Sequence, residues 1–120
     1  MRRALAPLPS EGWRLRHSLT WPGPGDIDSV AIARGGVAVV VETKTSSYQR
    51  PHLRRVQEQA AWPARWRQRW CRHRVVAILC LAGTYGMQRI EDDVLVVSID
   101  RLTPMVRCGN LVPSVHGQLR

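Results

Sequence analysis

Lysine is nearly absent: of 18 Lys plus Arg residues, Lys44 is the sole lysine. Cysteine is scarce too. Cys71, Cys80 and Cys108 are scattered, with no Cys-x-x-Cys and no His-x-x-x-His spacing, which argues against a zinc site. Cys80, inside an apolar run, reads as a small core residue. No stretch approaches the roughly 18 consecutive apolar residues of a membrane span. Met1 to Pro7 lacks the apolar run of a secretion signal. A cytoplasmic protein without a membrane partner is the expectation. Acidic residues are few, 9 against 18 basic ones, and no internal repeat is visible.

What is present fits one folded domain of 120 residues with 44% apolar content. Residues 1–12, with Pro7 and Pro9, read as an irregular arm; residues 13–108 form the domain and 109–120 a frayed tail. Trp13 to Thr20 alternates apolar and polar residues as a half-buried strand does. Trp21-Pro22-Gly23-Pro24-Gly25 is a loop. A long helix is expected from His52 to Arg72, with Leu53, Val56 and Ala60 inward, kinked or split by Pro63. Trp62, Trp66 and Trp70, at helical spacing, fit core packing better than a base-stacking ladder. Val75 to Ala82 is apolar throughout, as in a central strand covered on both faces, and should run parallel to the strand before the helix. Gly83 to Asp93 reads as a polar connection and Val94 to Ser98 as a short strand. Asp100 is placed to cap a last helix from Arg101 to about Arg107.

The formal net charge is +9, and residues 50–74 hold eight arginines against Glu58. Arg50, Arg54, Arg55, Arg65, Arg69 and Arg72 form a stripe suited to a polyanion, above all nucleic acid. The alternative is a solvated helix face.

The chain is organised around residues 25–44. Ile27 to Ala33 and Val37 to Lys44 read as two strands of a hairpin around Arg34-Gly35-Gly36. With period-two alternation, Glu42 and Lys44 share a face. In a register centred on Gly35, Asp28 lies opposite Glu42, with Cβ atoms roughly 4.5–5.5 Å apart. Two carboxylates there repel unless a cation sits between them, and a hard divalent ion such as Mg²⁺ suits oxygen ligands. A two-residue loop would turn Asp28 to the other face. The plainer alternative is a half-exposed Glu42–Lys44 ion pair, worth little.

An aspartate opening one strand and Glu42-Thr43-Lys44 closing the next resembles the metal site of the PD-(D/E)xK nuclease superfamily. More narrowly, Gly25-Asp26-Ile27-Asp28-Ser29-Val30-Ala31-Ile32, followed by Gly36-Val37-Ala38-Val39-Val40-Val41-Glu42-Thr43-Lys44-Thr45, resembles the nuclease-related domain (NERD) family from about Trp13 to Arg107. The resemblance implies an α/β, restriction-endonuclease-like mixed sheet of order β-β-β-α-β-β-α, with a long Arg-rich crossover helix and an N-terminal helix shortened or absent. It implies Mg²⁺ (or Mn²⁺) on Asp28, Glu42 and the Thr43 carbonyl. Lys44 would orient or help deprotonate the attacking water, and Gln59 would assist that water or the phosphate. The implied reaction is hydrolysis of a DNA phosphodiester.

Asp26 competes with Asp28 for the ligand role, and Ser29 stands where the family usually carries histidine. Glu11 is a stand-in for an acid that the superfamily's first helix often supplies. The second reading is a nucleic-acid-binding domain that cuts weakly or not at all, alone, as a homodimer or with a partner protein. A third is a scaffold whose arginines dock an acidic protein.

Overall fold

The computed structural model describes residues 1–33, 37–45, 47–66 and 74–108, without the side chains of residues 63–66, 74 and 108. Arg2–Leu5 forms a short helix, α1, and Leu8–Glu11 a 3-10 turn. Residues 1–12, expected to be irregular, thus hold two helical turns, because Leu5 and Leu8 have a core to enter: both are fully buried.

Three strands follow: β1 (Arg14–Thr20), β2 (Asp26–Ile32) and β3 (Val37–Lys44). Alternation makes β1 a half-buried edge strand, whereas the β-branched runs of β2 and β3 are buried on both faces. Helix α2 (Arg50–Trp66) opens with Pro51, tolerated in the first turn because its missing N–H would find no partner there. It runs unbroken through Pro63, so the expected split does not occur. Strand β4 (Arg74–Leu81) pairs parallel with β3, as expected for two strands joined through a helix. Strands β5 (Gln88–Glu91) and β6 (Val94–Ser98) precede helix α3 (Ile99–Cys108). The sheet order is β1-β2-β3-β4-β6-β5.

Two points depart from the sequence reading. The connection over Gly83 to Asp93 contains β5, so the order is β-β-β-α-β-β-β-α. Strand β5 is exposed at every position, an edge strand without the apolar signal that marks a buried one. Its turn to β6 uses Asp92 and Asp93, both at positive φ (52° and 62°), in place of the Asn-Gly usual in such turns. Helix α3 starts at Ile99, so Asp100 lies inside its first turn rather than before it. There Asp100 accepts the Gly86 N–H at 3.1 Å and the Ser98 hydroxyl at 2.6 Å, ties that hold its carboxyl below the usual range.

Two cores sandwich the sheet. Leu53, Val56 and Ala60 of α2 pack on Val30, Ile32, Ala38, Val40, Ala77 and Leu79. On the other face Leu102 and Val106 of α3, with Leu5 and Leu8, pack on Ala31, Val39, Val41, Ile78 and Cys80. Burial pushes the Cys80 thiol up to about 11, so it stays protonated as the core residue anticipated. Half-buried Trp62 packs on the α2-side core, in line with the packing reading. The side chain of Trp66, and Trp70, Cys71, His73 and the 109–120 tail, lie outside the described residues. Among the described residues no helix is long and apolar enough to cross a membrane.

Candidate metal centre

The β2–β3 register decides the site. Ile32 pairs with Ala38, Val30 with Val40 and Ser29 with Val41, each pair of numbers summing to 70. The next pair in that register is Asp28 with Glu42. Asp28 therefore shares the α2-side face with Val30, and Glu42 and Lys44 share it with Val40. The two acids and the lone ammonium lie together on one face, where the first half of α2 covers them.

Asp28 is fixed by the backbone: its Oδ2 accepts the Thr43 N–H at 2.8 Å. This bond stands where a ladder bond would otherwise form and brings the carboxylate across to β3. The Lys44 carbonyl accepts the Ala82 N–H at 2.8 Å, on the β4 side. A strand residue's N–H and C=O project to the same edge, and successive residues alternate edges. The Thr43 carbonyl consequently faces β2, on the edge that Asp28 approaches.

Glu42 is only 5% exposed, yet its Oε1 has no hydrogen-bond partner. Its Oε2 lies 3.7 Å from Arg55 Nη1, an ion pair too long for a hydrogen bond. Burial first, then the Asp28 charge, push the Glu42 carboxyl above its ordinary value of 4.5; Arg55, then Lys44, pull it back. A buried carboxylate beside a second one is costly, and a divalent ion between them would relieve both the repulsion and the orphaned oxygen. The donor set of two carboxylates and a carbonyl is all oxygen, which fits Mg²⁺ or Mn²⁺. Among the described residues no group of three or more His, Cys, Asp or Glu side chains could hold a metal, so the set rests on its backbone member.

Gln59 is fully buried, and neither amide atom makes a bond of ordinary hydrogen-bond geometry. It lies beside Glu42 and slightly favours the ionised carboxylate. His52, which sequence reasoning passed over, belongs to the same helix stripe. His52, Arg55 and Gln59 fall at i, i+3 and i+7, the one signal that could have found it. Its Nδ1 accepts the Gln49 N–H at 2.8 Å, and burial, then Lys44 and Arg55, hold its pKa below 6.5.

The other expected site residues are dispersed. Arg50 faces Asp92 at 4.0 Å, and Arg54 is exposed on the outer side of α2. The side chain of Arg65, and Arg69 and Arg72, lie outside the described residues. Asp26 is exposed at the mouth of β2, and Glu11 pairs with Arg107 of α3 at 2.9 Å, on the side of the sheet opposite α2. Beside the site, Trp21, Pro22 and Gly23 face Glu58, Ala61 and Trp62 across a cleft of about 350 Å³. Gly25, at φ +66°, turns the chain into β2 close to Arg55.

A mixed six-stranded sheet with three parallel-paired central strands, a crossover helix and acids at adjacent strand ends is consistent with the restriction-endonuclease-like fold. The family model described as nuclease-related domain (NERD) matches residues 1–78, and the chain belongs to that family. The match takes in Asp28, Glu42, Lys44 and Gln59 and ends within β4. No curated protein and no solved structure matches the chain.

Proposed function

We propose that this nuclease-related domain is a metal-dependent nuclease that hydrolyses DNA phosphodiester bonds using Mg²⁺ or Mn²⁺. The observation that carries the reading is the meeting of Asp28, Glu42 and Lys44 on one sheet face, with a buried Glu42 oxygen left unpartnered. Asp28, Glu42 and the Thr43 carbonyl would hold the ion. Once bound, it supplies Lewis acidity toward the phosphoryl oxygen and a lowered pKa for water.

The chain's own side chains do the rest. Lys44, a compact charge, sets an ammonium where negative charge grows on the phosphoryl group and orients the attacking water. Gln59, whose amide atoms make no bond of ordinary geometry, can bond that water or a phosphate oxygen. Asp28 stays aimed through its bond to the Thr43 N–H.

The test is cleavage of linear, nicked and single-stranded DNA with Mg²⁺, Mn²⁺ or chelator. Cutting should need metal and fall by about a hundred- to a thousandfold in Lys44→Ala, the scale seen when a charge-stabilising donor is lost. Retained cutting by Lys44→Ala would sink the reading. One observation favours the second reading, binding without cutting: Arg55 already sets a positive charge 3.7 Å from Glu42. In that case Mg²⁺ would leave the melting temperature unchanged while DNA binding persisted.

A further inference from the structure

Positive charge beside this site is not confined to α2. In β1, Arg14 pairs with Ile32, Arg16 with Val30 and Thr20 with Asp26. Paired residues of an antiparallel ladder project to the same face. Val30 and Ile32 lie under α2, so Arg14 and Arg16 are on the face that carries Asp28, Glu42 and Lys44. Helix α2 lies over β3 and β4 and reaches β6. The β1 margin of that face stays open at Arg14 and Arg16, both exposed, with Leu15 between them packed on the other core. Past Ser18, which sits at φ 56° and accepts a bond from Arg2 of α1, the alternation shifts and Leu19 packs on the α2-side core.

Five acids have other partners. Glu11, Glu42, Glu91, Asp92 and Asp100 pair with Arg107, Arg55, Arg89, Arg50 and Arg101. Among the described residues neither Arg14 nor Arg16 is in an ion pair. Asp26, opposite Thr20, is four residues from Arg16, or about 13 Å along the strand. Asp28's position in the same register is opposite Ser18, which makes Arg16 its diagonal neighbour at roughly 7–8 Å between Cα atoms. Arg14 is one same-face step further out, about 7 Å. The two arginines thus follow one another along the edge strand, starting beside the acidic pair.

We infer that a nucleic-acid backbone engaged at the Asp28–Glu42–Lys44 face runs over the open β1 ledge, with consecutive phosphates on Arg16 and Arg14. This rests on the nucleic-acid part of the function proposed above and gives it a footprint. It also moves that footprint from the outer arginines of α2 to β1. Arginine suits the task because its planar fork bonds phosphate oxygens in pairs.

The test is binding of a fluorescein-labelled DNA duplex to the full chain in chelator, followed by anisotropy between roughly 50 and 200 mM salt. Arg14→Gln/Arg16→Gln should weaken binding at least about tenfold and reduce the log–log salt slope by about 2, one phosphate per arginine. The conservative Arg14→Lys/Arg16→Lys variant should keep most of the slope, and Arg3→Gln in α1, on the opposite side of the sheet, should keep all of it. Both arginines are exposed, so circular dichroism should show the variants folded. A wild-type slope in the double glutamine variant overturns the ledge, as does a loss that falls on Arg54→Gln instead. Wild-type protein that fails to bind DNA overturns the ledge and the nucleic-acid reading together. Binding over β1 without metal-dependent cutting leaves the ledge standing and removes only the nuclease.

Discussion

Glu42 is the residue on which stability and proposed chemistry pull in opposite directions. Burial and the Asp28 carboxylate raise its pKa in the fold above the ordinary 4.5, so the folded state holds the proton more tightly than the unfolded chain does. Between those two values the native state binds more protons, and stability falls as pH rises through the window. Above it the full penalty of an ionised Glu42 is present. In chelator, Glu42→Gln should therefore melt higher than wild type at neutral pH, and the difference should vanish as pH drops below 4.5. Adding Mg²⁺ at neutral pH should raise the melting temperature of wild type but not of the variant. A variant that melts no higher than wild type at neutral pH would mean that Arg55 has already cancelled the cost.

At the scale of elements, the site depends on how α2 is seated, and that is decided at its start. The Tyr48 hydroxyl donates to Glu91 Oε1 at 2.5 Å, and the Arg89 guanidinium both bonds that hydroxyl and lies 5.5 Å from the ring centre. Gln57 donates to the Asp92 carbonyl. The β5–β6 hairpin thus clamps the segment that aims His52, Arg55 and Gln59 at Glu42. Tyr48→Phe keeps the ring under Arg89 and removes only the hydroxyl, so it should cost about 0.5–1 kcal/mol in urea unfolding, a partly exposed hydrogen bond. Hydrogen exchange should quicken at both the start of α2 and the β5–β6 turn if the two are clamped; acceleration on one side alone would mean that they are not.

This clamp marks the limit of what the sequence could tell. The alternation in Trp13 to Thr20, the β-branched runs and the 53-56-60 spacing carry burial directly in residue type, so β1 to β4 and α2 were legible. The register was legible only as a choice of loop length, and the Asp28–Glu42 meeting followed one branch of that choice. Strand β5 was not legible, because an exposed edge strand is chosen by pairing, not by apolar content. Nothing local marks Tyr48 as structural, because its partner Glu91 lies forty-three residues on. Arg14 and Arg16 alternate with apolar residues as any surface strand does. Only their pairing with Val30 and Ile32 puts them on the same face as the acids.

For the molecule as a whole, the sheet separates what holds the fold from what the fold presents. Residues 1–12 and α3 close one face: Leu5 and Leu8 are fully buried among Leu102 and Val106, Thr103 bonds the Ala4 carbonyl, and Arg107 grips Glu11 through Nε at 3.0 Å and Nη2 at 2.9 Å. The opposite face carries α2, Glu42, Lys44 and the β1 ledge. Leu8→Ala deletes a buried side chain on the first face and should cost about 2–5 kcal/mol, the range for such truncations in a packed core. Because Leu8 packs in the cluster that holds Val41 but neither Glu42 nor Lys44, the loss should appear in chemical unfolding. Mg²⁺-induced stabilisation and DNA affinity, measured well below the melting point, should match wild type. A variant that keeps its stability would show that the 1–12 segment merely rests on the fold. One that stays folded but no longer responds to Mg²⁺ would show that the two faces are coupled through β3, whose Val41 and Glu42 are adjacent in the chain and point to opposite cores.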